Sequence, residues 1–257
     1  MLIGIYISSK TLIKRILAKS LIKKNVMNFE LCTDSVEGAI KASAYGFKSI
    51  ELCSALAVGG LTPNFGLIQT CVRHSNLEVH VMIRHREGGF VCDQADVDLM
   101  KIDIEAVKKA GAHGVVFGVL DEAHKVSDLN LQLVQMAKSL GLKATFHRAF
   151  DFVPDFRIAI KKIVAFGFDR LLTSGLESKA EEGLEVITAL QTDYGHLIQI
   201  LAGSGVNEAN ALLFANSGIK YLHFTARRSY GETTNLGMGI AMLTDEDKIN
   251  SILSLFT

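Results

Sequence analysis

Within "TFHRAFD" (145–151), His147, Arg148 and Asp151 sit at the end of a short β-like stretch. An imidazole moves protons near neutral pH, a carboxylate orients it, and a guanidinium clamps an anion. Similar groups recur at other strand-like ends. Glu30 and Cys32 lie in "NFELC", Glu51 and Cys53 in "KSIELC", and Arg84 closes "EVHVMIR" with Arg86 just beyond. Neighbouring strands lie about 4.8 Å apart, so two inward thiolates there could hold Cu(I), a soft ion satisfied by two sulfurs. Buried cysteine also serves as a small apolar filler, and spacing alone leaves both readings open. No HxH, HExxH or CxxC occurs, so a zinc site is not supported.

The elements that must position these groups follow one repeating plan. Runs of period-2 or continuous apolarity predict strands at 28–32, 48–53, 78–84, 113–119, 143–149, 169–175, 197–203 and 220–226. Helical stretches at 34–45, 94–110, 128–140, 154–166, 178–192 and 206–217 lie between them, and Cys71 falls on the helix after the second strand. Corners such as "AYGFKSI", "SLGLKATF" and "AFGFDRLL" put glycine where a helix ends in the left-handed conformation. Eight such units predict a closed parallel (β/α)8 barrel of the TIM type over residues 27–257. An open doubly wound sheet is disfavoured because no GxGxxG follows the first strand.

A barrel places its site at the C-terminal ends of its strands, and alternation decides which side chains face inward. With Phe29, Leu31, Ile50, Leu52, Val81 and Phe146 turned toward helices, Glu30, Cys32, Glu51, Cys53, Arg84 and His147 face the interior. The same parity sends His223 and Thr225 inward, followed by Arg227. The turns "TSG" (Thr173, Ser174) and "GSG" (Gly203, Gly205) end the sixth and seventh strands and offer backbone N–H groups to an anion.

Composition narrows the class. The 257 residues are 49% hydrophobic and 21% charged with no net charge, ordinary for one large domain. Residues 1–26 hold six basic residues and no acid, leaving 21 basic against 27 acidic residues in the remainder, which argues against nucleic acid as a partner. The basic start shares its composition with mitochondrial transit peptides. The plainer expectation is an extension outside the core, because Met27 precedes the first strand. No apolar run approaches the roughly 20 residues needed to cross a bilayer. Four cysteines without a CxxC pair argue against a disulfide scaffold and fit a reducing compartment.

The runs "FELCTDSVEGAIKASAYGFKSIELCSAL…GGLTPNFGLI", "VMIRHREGGF", "FGVL", "TFHRAFD", "LLTSG" and "TAR", in this order over about residues 28–240, resemble the CutC copper-homeostasis family. The resemblance implies a TIM-type barrel, a cytoplasmic location, a dimer or tetramer, and copper handling. It also implies Cys32 and Cys53 as Cu(I) ligands. Two departures stand out: His85 replaces the proline of the usual "MIRPR", and "GSG" replaces a glycine-only turn.

Two functions are therefore expected. One is Cu(I) binding through Cys32 and Cys53. The other is an enzyme acting on a small anionic or phosphorylated metabolite. In that reading His147 serves as acid or base with Glu30, Glu51 and Asp151, and Arg84, Arg86, Arg148 and Arg227 act as clamps beside Thr173, Ser174, Gly203 and Gly205.

Overall fold

Short β-branched and apolar runs form eight parallel strands that pair in sequence order. These are β1 (Asn28–Thr33), β2 (Ser49–Leu52), β3 (Glu78–Met82), β4 (Gly114–Phe117), β5 (Lys143–Phe146), β6 (Arg170–Thr173), β7 (Gln199–Gly203) and β8 (Tyr221–Thr225). β8 closes on β1, so the sheet is a barrel without edges. The structure is a computed structural model describing residues 27–231 and 239–257. The expected basic extension, residues 1–26, lies outside the described residues.

A helix follows each strand: α1 (Val36–Ala44), α2 (Phe65–His74), α3 (Gln94–Lys109), α4 (Leu129–Ser139), α5 (Phe156–Phe166), α6 (Leu184–Tyr194), α7 (Ala211–Asn216) and α8 (Glu246–Leu253). Sequence chemistry starts them. Ser35 caps α1 through Gly38 N, and Asp93 and Asp96 form a reciprocal capping box on α3. The outward strand residues Leu31, Ile50, Val81, Val115 and Phe146 pack under these helices in one continuous core. That layer is the barrel's main source of burial energy, at about 25 cal/mol per Å² of apolar surface.

β2 to β6 and β8 stop short of the C-terminal ends of the runs that predict them, because those ends become loops. After β5 the chain turns at once into a 3-10 segment, Arg148–Phe152. After β8 a two-stranded hairpin, β9 (Arg227–Ser229) with β10 (Met242–Thr244), leads into α8. The helix expected at 178–192 begins only at Leu184. Turns fill the residues before it, where two glycine backbones meet. A Cβ on Gly175 would lie 2.2 Å from Gly183 O, and one on Gly183 would lie 2.1 Å from Ser174 O. Gly175 also has φ +73°. Gly175→Ala is therefore expected to cost about 2–4 kcal/mol in urea unfolding, since neither backbone can yield. A loss below about 0.5 kcal/mol would show that the loops separate freely.

Candidate metal corner and cationic cavity

The barrel interior is built from the residues of opposite parity. In its lower layer Glu30 is buried, and its Oε2 accepts hydrogen bonds from Arg170 Nη2 and, at 2.6 Å, from Ser49 Oγ. Its Oε1 lies 3.0 Å from His223 Nδ1. Burial works against the Glu30 anion, yet the Arg170 guanidinium and then His223 hold its carboxyl well below the usual range. His80 sits in the same layer, where burial and then Arg170 push its imidazole toward the neutral form. Two glycines make room for these rings. A Cβ on Gly114 would lie 2.3 Å from His80 Nδ1, and one on Gly203 would lie 3.1 Å from His223 Cδ2.

One step toward the C-terminal ends lies the thiol corner. The β1–β2 register sets Cys32 opposite Glu51. Cys32 Sγ is 3.3 Å and Cys53 Sγ 3.7 Å from Glu51 Oε2, so both thiols donate to one carboxylate oxygen. One ligand atom from each of these three buried residues lies within 4.8 Å of the others. A hydrogen bond with Cys53, then burial and the Glu51 charge, push the Cys32 thiol well above its ordinary value. For Cys53 the contact with Cys32 acts the other way, but burial and Glu51 still raise it to about 11. Burial also raises Glu51, against the pull of His223. His223 loses by burial and gains more from Glu51, Cys32 and Glu30, so it is held as a cation. Its Nε2 is 3.6 Å from Glu51 Oε2. The other Glu51 oxygen, Oε1, is buried with no hydrogen-bond partner among the described residues.

Above the corner opens a cavity of about 520 Å³, with Cys32, Glu51 and His223 in its lining. Arg84, His147, Arg148 and Arg227 reach it from the strand ends, and Lys248 reaches it from α8. Arg84 donates to the carbonyls of Val58 (2.9 Å), Gly60 (3.0 Å) and Gly88 (2.8 Å). Its guanidinium lies 5.3 Å from the Phe90 ring centroid. His147 Nδ1 accepts from Ala149 N at 3.2 Å, which leaves the ring proton on Nε2. Burial and then Arg84 lower its pKa to about 3. His147 is thus a neutral N–H donor, and the acid–base role expected of it has no titration near neutral pH.

Gly205 also lines the cavity, and the remaining expected site residues fall outside it. Asp151 accepts from Thr173 Oγ1 at 2.5 Å, from Ser174 N at 3.0 Å and from Arg148 Nε at 2.8 Å. Its oxygens are consumed in tying the β5 loop to the β6 loop, and Thr173 and Ser174 are the other half of that tie. Arg86 turns away to Asp96 Oδ2 at 3.1 Å and Val91 O at 3.0 Å, anchoring the start of α3. Gly203 lies beside His223 rather than at the rim, and Glu30 lies beneath the lining. Sequence reading did not single out Arg170, His80 or Lys248. Strand parity was the available signal for His80, since it lies between Val79 and Val81.

The CutC family pattern matches residues 27–228. The chain belongs to the CutC family. A CutC family protein of Vibrio campbellii is 43% identical over 182 residues, 70% of this chain and 74% of that one. The "Copper homeostasis protein cutC homolog" of Mus musculus is 41% identical over 202 residues, 78% of this chain and 74% of the relative. The crystal structure of a CutC protein of Streptococcus agalactiae is 29% identical with a TM-score of 0.72, covering 77% of this chain and 98% of that one. His85 of this CutC chain sets Nε2 2.8 Å from Asp96 Oδ1 and joins Arg86 in holding α3. Among the described residues, no helix is long and apolar enough to cross a membrane.

Proposed function

We propose that this CutC protein binds Cu(I) as cytosolic cargo through the thiolates of Cys32 and Cys53. The carrying observation is the convergence of two buried sulfurs and a carboxylate oxygen within 4.8 Å of one another at the foot of a cavity. Two soft donors suit a monovalent copper ion, and the hard oxygen of Glu51 is poorly suited to compete with them for it. Glu51 Oε2 instead takes the hydrogen bonds of both thiols, so it stands where the departing protons are released. His223, held as a cation, balances the negative charge of a bis-thiolate copper complex.

The test is a titration of the reduced protein with Cu(I) against a competing chromogenic chelator. Wild type is expected to take up one ion, and Cys32→Ser/Cys53→Ser to bind more than about 100-fold more weakly, beyond what loss of an outer-shell partner costs. Equal binding by the two proteins would remove the proposal.

A further inference from the structure

The cavity above the thiols has a charge pattern that a cation carrier does not require. Arg84, Arg148, Arg227 and Lys248 line it, and Glu51 is the sole carboxylate among its described lining residues. Arg148 and Arg227 each meet an acid, Asp151 at 2.8 Å and Asp34 at 3.0 Å. Arg84 and Lys248 have no ion pair among the described residues. Arg84 is locked in place by three backbone carbonyls, and its Nε is buried without a partner. A guanidinium held rigid with its charge uncompensated is organised for an anion, because it loses little side-chain freedom on binding.

Three further features define the occupant. His147 offers a neutral Nε2–H to the same space. Leu56, Met82, Phe90, Phe152 and Leu172 supply an apolar share of the lining, and a volume of about 520 Å³ exceeds the needs of an inorganic ion. The rim also carries strain: Ser204, a non-glycine residue, has φ +87° beside Gly205 at +75°. Such outliers gather at binding sites.

We infer that this cavity binds a small organic anion, a carboxylate or phosphate ester, with its charge held between Arg84 and Lys248 and a hydrogen bond from His147 Nε2. The inference does not rest on the copper reading.

Calorimetry on the reduced, metal-free protein tests it with four probes: malate, glycerol 3-phosphate, inorganic phosphate and glycerol. Malate or glycerol 3-phosphate is expected to bind at least about tenfold more tightly than inorganic phosphate, with glycerol silent, and the stronger arm names the charged group. Arg84→Gln and Lys248→Gln should each weaken that probe about tenfold. Lys248→Gln, at a side chain without an ion pair among the described residues, carries the test if Arg84→Gln does not fold. Inorganic phosphate matching both organic probes, no binding by either, or unchanged affinity in Lys248→Gln would overturn the inference.

Discussion

Across neutral pH, Cu(I) affinity is expected to rise by up to about 100-fold for each unit of pH. Both thiols are held in the protonated form, Cys53 up to about 11 and Cys32 well above its ordinary value. Each must lose its proton to become a ligand, so the slope of log affinity against pH counts the protons expelled. The groups facing the pair set that count. Glu51 accepts both thiol hydrogen bonds, and burial favours its own protonated form, so it can retain one proton and bring the slope down toward one. His223, already a cation, takes up none, and Glu30 is held ionised by Arg170 and His223. The slope flattens only as pH climbs through the raised thiol values. Competition titrations at several pH values measure it, and Glu51→Gln is expected to restore a slope near two. A flat profile would mean that the thiols are not the ligands.

The second large effect is on stability. Arg170→Met is expected to cost about 3–5 kcal/mol, because it strands the Glu30 carboxylate in a buried layer with only Ser49 and His223 beside it. Glu30→Gln added to Arg170→Met should recover part of that loss, since no uncompensated anion remains. The pH profile separates the contributions. The depressed Glu30 pKa adds stability above the ordinary carboxylate range, and that stability is lost as pH falls through the depressed value. The raised His223 pKa adds stability that is complete below about 6.5, the unfolded value, and is lost as pH rises through the raised one. The Glu30 and His223 contributions are therefore both complete between these limbs. Arg170→Met should bring the acid limb to higher pH, and His223→Gln should abolish the alkaline one. Urea unfolding across pH checks both, and a loss below about 1 kcal/mol for Arg170→Met would show that water reaches Glu30.

Strand order, barrel closure and the inward parity of Glu30, Cys32, Glu51, Cys53 and His147 were legible because period-2 alternation is a local property of each strand. Arg170 was not legible for the same reason. "RLLT" places leucines on both faces, so it carries no alternation, and the partner that buries the arginine lies 140 residues away. Asp151 looked catalytic because a polar residue at a strand end usually faces the site. The 3-10 segment rotates it onto the backbone of the next loop, and no periodicity announces that turn. Lys248 joins the cavity only because the β9–β10 hairpin carries α8 to it, a tertiary event without a local signature. Arg86, two residues past Arg84, was expected to share its role, but the irregular chain after β3 has no alternation to keep the two together.

The Glu30–Arg170–His80 layer lies beneath the thiols, and among the described residues the cavity is the space onto which Cys32 opens. Cys53 has no exposed surface and Cys32 is 6% exposed, on the cavity side. A copper ion held by both thiols, as proposed, would leave through the space that a later arrival enters. Exchange of such an ion would then follow a last-in, first-out order, with the dwell time of whatever fills the cavity setting its escape rate.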